Sequence, residues 1–175
     1  TGTSSVLFGG NPGPTQAYTE QYDGSSWTEV SDLNTGRAAG ASGGASGTDA
    51  VMGGGYKLPN VGNSLDTEIW NGSSWTASGN FVMPNGDNYF GGGTQTAGWI
   101  CGGNPTNPGY LSTTNHYDGT VFSTAPNMGT ARQYGGSNGI QSGALIFGGY
   151  TGSNTDATEE FTGETTAANV KTFST

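Results

Sequence analysis

Residues 70–75 read WNGSSW, and residues 22–27 read YDGSSW, almost the same phrase. Asn-Gly and Asp-Gly are hairpin-turn pairs, because both residues tolerate positive φ. Each hexapeptide predicts a tight corner between two short strands, with an aromatic residue on either side. A corner that recurs implies that a small sheet recurs.

Other markers keep step with it. Apolar triplets followed by Gly-Gly occur as VLFGG (6–10), AVMGG (50–54), WICGG (99–103) and LIFGG (145–149). Their first glycines, at 9, 53, 102 and 148, are spaced by 44, 49 and 46 residues. The aromatic marker occurs as TEQYDG (19–24), TEIWNG (67–72), TNHYDG (114–119) and TEEFTG (158–163). Its aromatics, Tyr22, Trp70, Tyr117 and Phe161, are spaced by 48, 47 and 44. A glycine-rich stretch precedes the triplet three times, as RAAGASGG (37–44), DNYFGGGT (87–94) and RQYGGSNG (132–139). Nothing equivalent precedes VLFGG. Internal repeats of this period are the signature of a sheet built many times over.

Each unit reads as four strands: A, the glycine-rich stretch; B, the triplet; C, the aromatic marker; and D, the SSWTEV-like segment. Strand B is apolar at consecutive positions, which predicts burial on both faces. The predicted fold is all-β: one domain, 1–175, of four repeats (1–34, 35–84, 85–129 and 130–175), each a four-stranded antiparallel blade. The first blade lacks its first strand. The last corner, FTGETTAANV, lacks the second aromatic, as terminal repeats often do.

Composition agrees and narrows function. The 175 residues include 34 glycines and 11% aromatics, and 10% are charged. So much glycine disfavours helices, while the aromatics and regular triplets argue against disorder. The net charge is −9, and Arg37, Lys57, Arg132 and Lys171 are the only Lys or Arg residues. Nucleic-acid binding needs clustered cations, so no nucleic acid is expected as a partner. No apolar run is long enough to cross a bilayer, and no membrane insertion is expected. The chain opens on Thr, which predicts processing or a segment of something longer. One cysteine gives no internal disulfide framework.

Four-stranded sheets at a period of 44 to 49 residues suggest a β-propeller. The residues resemble the kelch-type family: Gly-Gly after an apolar strand, then an aromatic, then a Trp a few positions on. Gly9, Gly10, Tyr22 and Trp27 fit, as do Gly53, Gly54, Trp70 and Trp75. Gly102, Gly103, Tyr117 and Phe122 fit with Phe replacing Trp, and Gly148, Gly149 and Phe161 fit in part. The resemblance covers essentially the whole chain and implies a kelch-like β-propeller of four repeats. The wording, with NGSSWT and the tail EEFTGETTAANVKTF, is also similar to kelch-like repeat proteins of tailed-bacteriophage virions. That implies a tail fibre or appendage, located on the virion surface or extracellular. An open edge at strand B of the first unit is expected to be filled by another segment, since unpaired edges invite pairing.

Catalytic chemistry is not written in the residues. Cys101 shares its slot with Phe8, Met52 and Phe147, which predicts a small apolar side chain. His116 is the only histidine and has no acid or thiol cluster, so no metal site is expected. Arg37 and Arg132 share a slot, with Asp87 in the middle copy; they either clamp a carboxylate ligand or tie loops together. Some kelch-type propellers are copper radical oxidases, a chemistry needing several His and Tyr plus a Cys; one His cannot supply that set. Sialidase propellers need an arginine cluster and a repeated Asp box, both absent. A paired-carboxylate glycosidase site is not marked by any pair. The Asn71-Gly-Ser sequon is explained by the turn. No catalytic residue, metal or cofactor is expected, and the protein is not expected to be an enzyme.

The B–C loops diverge: NPGPTQA (11–17), YKLPNVGNS (56–64), NPTNPGYLS (104–112) and YTGSNTD (150–156). Strand direction alternates, so B–C and D–A loops share one face. A rigid frame with variable loops on one side suits binding. Asn11, Tyr56, Lys57, Asn104, Tyr110 and Tyr150 are the candidate ligand residues, offering flat rings and hydrogen-bonding groups. The expected function is a non-enzymatic binding and structural module that recognises a host-surface glycan or protein. Self-association, or contact with other virion proteins, is also expected. The alternatives are a filament or capsid-decoration subunit assembling through open strand edges, and a secreted glycan-active enzyme.

Overall fold

The structure, a computed structural model, describes residues 3–11, 13, 15–57, 62–105, 109–162 and 170–173. Every regular element among them is a strand. Sheet I holds β1 (Ser5–Phe8), β2 (Thr19–Tyr22) and β3 (Trp27–Glu29). Sheet II begins with β4 (Ala41–Ser46) and β5 (Asp49–Gly53). A two-residue hairpin follows, β6 (Tyr56–Lys57) with β7 (Gly62–Asn63), and then the sheet ends with β8 (Thr67–Trp70) and β9 (Trp75–Ser78). After the two-residue β10 (Gly86–Asp87), sheet III is built of β11 (Phe90–Thr94) and β12 (Ala97–Cys101), then β14 (Thr114–Tyr117) and β15 (Phe122–Ala125). Between them β13 (Asn104–Pro105) pairs back with β10. Sheet IV is β16 (Gly136–Ile140), β17 (Gly143–Phe147), β18 (Thr158–Phe161) and β19 (Val170–Phe173).

All four sheets are antiparallel and share one register. Strand B meets strand C at Phe8↔Thr19, Gly53↔Thr67, Cys101↔Thr114 and Phe147↔Thr158. This shifts one predicted equivalence by a residue. In sheet II the glycines matching Gly9-Gly10 are Gly54-Gly55, not Gly53-Gly54. Gly9, Gly54, Gly102 and Gly148 share φ values of 72°, 68°, 63° and 66°. The slot of Phe8, Cys101 and Phe147 is therefore held by Gly53, and Met52 belongs with Leu7, Ile100 and Ile146. The corrected spacings are 45, 48 and 46 residues. A slip of one residue reverses every face of a strand, so the correction matters for packing.

With that register the side chains sort cleanly. Met52, Ile100 and Ile146 turn toward the preceding sheet, while Val6 with Phe8, and Trp99 with Cys101, turn toward the following one. Three buried clusters fill the three gaps between consecutive sheets. Leu33, Ala50, Met52, Trp70 and Trp75 pack with Val6 and Phe8 between I and II. Ala41, Phe81, Met83, Tyr89 and Ile100 pack with Phe122 between II and III. Phe90, Trp99, Cys101, Ala144 and Ile146 pack with Phe161 between III and IV. The first strands of sheets II to IV lie side by side. Their glycines permit it: a Cβ on Gly43 would come within 2.6 Å of the Gly92 carbonyl oxygen.

Among the described residues each buried cluster joins two consecutive sheets, and none joins sheet IV back to sheet I. The predicted burial of both faces of strand B holds for sheets II and III and fails at the two ends. Leu7 of sheet I is 60% exposed and Phe147 of sheet IV is 43% exposed, because no further sheet among the described residues packs against either.

The opening hexapeptides are C–D corners. Tyr22 pairs with Trp27 and Trp70 with Trp75, with ring centroids 5.2 and 5.5 Å apart. Tyr117 and Phe122 do the same at 4.6 Å. The first turn residue does not adopt positive φ, as the Asn-Gly reading expects; only its glycine does. Asp23, Asn71 and Asp118 act through their side chains instead. Each Oδ1 accepts the backbone N–H groups two and three residues on, at 2.8–3.0 Å. Short polar side chains commonly close turns this way.

Candidate functional site

The loop face is built by pairing D–A loops with B–C loops. Ala38 bridges to Tyr56, Asp87 to Asn104 and Gln133 to Tyr150. The residue after each of the first group, Ala39, Asn88 or Tyr134, has φ between 56° and 59°. This left-handed conformation is uncommon for residues other than glycine. Three equivalent loops adopt it, so it belongs to the frame. Only the last carries a bulky ring there: Tyr134 is 66% exposed.

Beneath these bridges the two arginines are anchored. Arg37 and Arg132 are fully buried. Arg37 donates to the Glu68 carboxylate and, at 2.8 Å, to the Asp66 carbonyl. Arg132 donates to Glu159 and, at 2.8 Å, to the Ala157 carbonyl. The same carboxylates accept loop N–H groups, Glu68 from Asn34 at 2.7 Å and Glu159 from Gly129 at 2.6 Å and Thr130 at 3.1 Å. The arginines thus tie loops to sheets, with their charge already matched inside the protein. The middle copy differs from expectation. Register places Gly86, not Asp87, at the arginine slot, and the acid is replaced in step by Asn115, whose Oδ1 accepts Val82 N–H at 2.8 Å. A carboxylate buried without a cation is costly, which accounts for the loss of both together.

Of the six candidate ligand residues, the structure brings two into contact. Tyr110 and Tyr150 meet edge to face, their centroids 5.7 Å apart and their planes at 89°. Asn104 pairs with Asp87, whose carboxyl is pushed above its usual range by burial and is held by the Asn88 amide at 2.7 Å. Tyr56 and Lys57 form β6, which pairs with β7 as a separate two-stranded ribbon between β5 and β8. The Lys57 ammonium is occupied by Asp66, whose pKa is lowered chiefly by that hydrogen bond. Asn11 is exposed and accepts Gly13 N–H at 3.3 Å.

Two residues absent from the sequence-based set belong to this region. Gln133 exchanges backbone bonds with Tyr150 at 3.1 and 2.8 Å. Its buried Oε1 has no partner among the described residues. Buried polar atoms are almost always bonded, and this one is an exception among the described residues. Tyr134 follows it directly. The signal for both lay in RQYGGSNG, the one glycine-rich marker with a large amide and an aromatic ahead of its first glycine.

Elsewhere the chemistry is muted. Cys101 is buried, and burial together with the charge of Glu159 pushes its thiol pKa well up, which leaves little thiolate for reaction. His116 stacks edge to face on Phe161 at 5.6 Å. The gap that both residues border between sheets III and IV holds about 30 Å³, far below a ligand pocket. Among the described residues no three His, Cys, Asp or Glu gather as a metal site.

No protein-family profile matches the chain, and no curated protein matches it. Among solved structures, that of YjhT superposes with a TM-score of 0.69 at 15% identity, over 91% of this chain and 53% of that one. At this identity the likeness concerns the fold alone. The chain spans about half the length of that structure.

Proposed function

We propose that the chain is a propeller-type, non-enzymatic binding module whose loop face recognises carbohydrate. The repeated register and the common facing of equivalent residues support reading the four sheets as an arc of kelch-like blades around one axis. The observation that carries the binding reading is the cluster at sheet IV. An edge-to-face tyrosine pair, Tyr110 and Tyr150, shares this face with Gln133, whose backbone bonds to Tyr150, and with the exposed ring of Tyr134. Sugars present apolar ring faces and hydroxyl groups, and this set offers rings and phenol hydroxyls on a rigid frame. The acidic surface and scarce free cations favour a neutral glycan over a sulfated or phosphorylated one. Placement on a virion appendage or another extracellular surface is the setting in which such a module works.

A glycan array probed with the wild-type chain, followed by titration of the best hit, tests this. Tyr150→Ala and Tyr110→Ala should each weaken binding at least tenfold. Binding unchanged in both variants, or no hit among neutral glycans, overturns the reading.

A further inference from the structure

Asn-Gly occurs three times, at Asn71-Gly72, Asn85-Gly86 and Asn138-Gly139. Glycine has no Cβ to shield its backbone nitrogen, so that nitrogen can reach the asparagine amide before it. The fold treats the three pairs differently. Gly86 lies buried in β10, where a Cβ would come within 2.2 Å of the Asn104 carbonyl oxygen, and Asn85 Nδ2 donates to the Asn63 carbonyl at 3.0 Å. Asn138 and Gly139 are ladder residues of β16, opposite Leu145 and Ala144, and the Gly139 N–H donates to Asn138 Oδ1 at 2.7 Å. Asn71 and Gly72 lie in no strand. Asn71 is exposed, and the Gly72 N–H has no hydrogen-bond partner among the described residues.

The corner also activates the Asn71 amide. Its Oδ1 accepts the Ser73 N–H at 2.9 Å, the Ser74 N–H at 3.0 Å and the Ser73 hydroxyl at 2.9 Å. Three donors on one carbonyl oxygen draw electron density from Cγ and stabilise negative charge that develops on Oδ1, as an oxyanion hole does. The ring closed by Oδ1 and the Ser73 N–H contains the Gly72 nitrogen, so nucleophile and Cγ are held within one turn. The acidic product is one the fold already accommodates. Sheets I and III carry Asp23-Gly24 and Asp118-Gly119 in the same corner, with the same two N–H contacts at 2.8–2.9 Å. Asp23 Oδ2 accepts the Ser26 hydroxyl at 3.5 Å, where Asn71 Nδ2 instead donates to Ser74 Oγ at 3.4 Å.

We infer that Asn71 is a site of spontaneous conversion to aspartate, through attack by the backbone of Gly72. Gly72 N gives up its proton and bonds to Asn71 Cγ. The Cγ–Nδ2 bond breaks, and ammonia leaves with that proton. Water then opens the resulting succinimide. Attack at Cγ restores the main chain, with aspartate at position 71. Attack at the main-chain carbonyl carbon gives isoaspartate, with an extra carbon in the backbone of the corner. The pairing of Trp70 with Trp75, both buried, holds the corner to its present length and favours the first product. The conversion adds a negative charge at the corner end of sheet II. It stands apart from carbohydrate recognition, which uses the loop face at the other end of the strands.

Incubation of the intact chain at mildly alkaline pH, followed over time by peptide mapping with mass spectrometry, tests this. Asn71 should convert severalfold faster than Asn85 or Asn138 in the folded chain, whereas in urea the three rates should converge. Aspartate should form a larger share of the product in the folded chain than in urea. Ser73→Ala keeps the backbone donors of the corner and removes the hydroxyl, and it should slow conversion at Asn71 severalfold. Ser73 is exposed, so this variant should fold normally. Asn71→Asp should match the aged wild-type chain in charge and melting temperature. Earlier conversion at Asn85 or Asn138, the same product ratio folded and unfolded, or an unchanged rate in Ser73→Ala overturns the inference.

Discussion

Arg132 is wholly buried with its guanidinium on the carboxylate of Glu159, and Arg37 repeats the arrangement on Glu68 two sheets earlier. In each case the arginine leads the first strand of a sheet and the acid sits on that sheet's third strand. A charge pair here joins the leading loop to its own sheet. Removing one partner leaves an uncompensated buried charge, which is worse than lacking both.

Arg132→Met should therefore cost about 3–5 kcal/mol, read from urea unfolding. The double variant Arg132→Met/Glu159→Gln should cost less than the sum of the two single changes. A neutral amide oxygen can still accept from Gly129 and Thr130, as Asn115 accepts from Val82. Strict additivity would show that the two side chains are not coupled.

Gly102 has φ +63°, and a Cβ there would lie 2.6 Å from the Phe90 ring and 2.8 Å from the Arg132 carbonyl oxygen. Gly102→Ala should destabilise by about 2–4 kcal/mol, combining left-handed strain with overpacking. Gly143→Ala, where nothing lies within 4 Å, should stay within about 0.5 kcal/mol. The pair of thermal melts separates a steric need for glycine from its mere abundance.

Asp23 closes its corner by accepting from Ser25 and Ser26. Those bonds, the Ser26 backbone N–H first, hold its carboxyl down at about 2. Its folded pKa lies below the ordinary value of 3.8. Its contribution is thus full above about pH 4 and is lost as pH falls toward 2. Asp118 shifts the same way, through Val121 and then Thr120. Asp23→Asn should reproduce the Asn71 corner and flatten this part of the acid melt between pH 4 and 2. An unchanged melting profile would show that the corner does not respond to protonation.

Tyr134 holds φ +59° while 66% exposed. Tyr134→Gly should raise stability by roughly 1 kcal/mol through relief of left-handed strain. The same change should weaken any glycan bound at sheet IV. Stability gained without loss of binding would place the ligand elsewhere.

Much of the architecture was legible because its signals are local. An aromatic, an Asx-Gly corner and a second aromatic specify a hairpin wherever they occur, and four apolar triplets mark four central strands. One register was not legible. The run Gly53-Gly54-Gly55 offers two glycine pairs of identical composition, and only the pairing of Gly53 with Thr67 chooses between them. The error passed to the neighbouring residue, putting Met52 in a slot that belongs to Gly53. The arginine slot of the middle copy failed similarly. Asp87 carries charge and drew attention, whereas the matching residue, Gly86, carries no side chain to notice.

The candidate site was legible only in kind. Divergent loops identified the face, and their tyrosines the chemistry. The meeting of Tyr110 with Tyr150, from loops of different sheets, depends on how sheet III packs on sheet IV. The amino-acid sequence by itself determined the repeating all-β units, because turn closure and apolar runs act over a few residues. Which rings meet and which charges are buried were decided by tertiary structure alone. Those outcomes depend on partners distant in the chain, 31 and 27 residues for the two Arg–Glu pairs and 40 for Tyr110 with Tyr150.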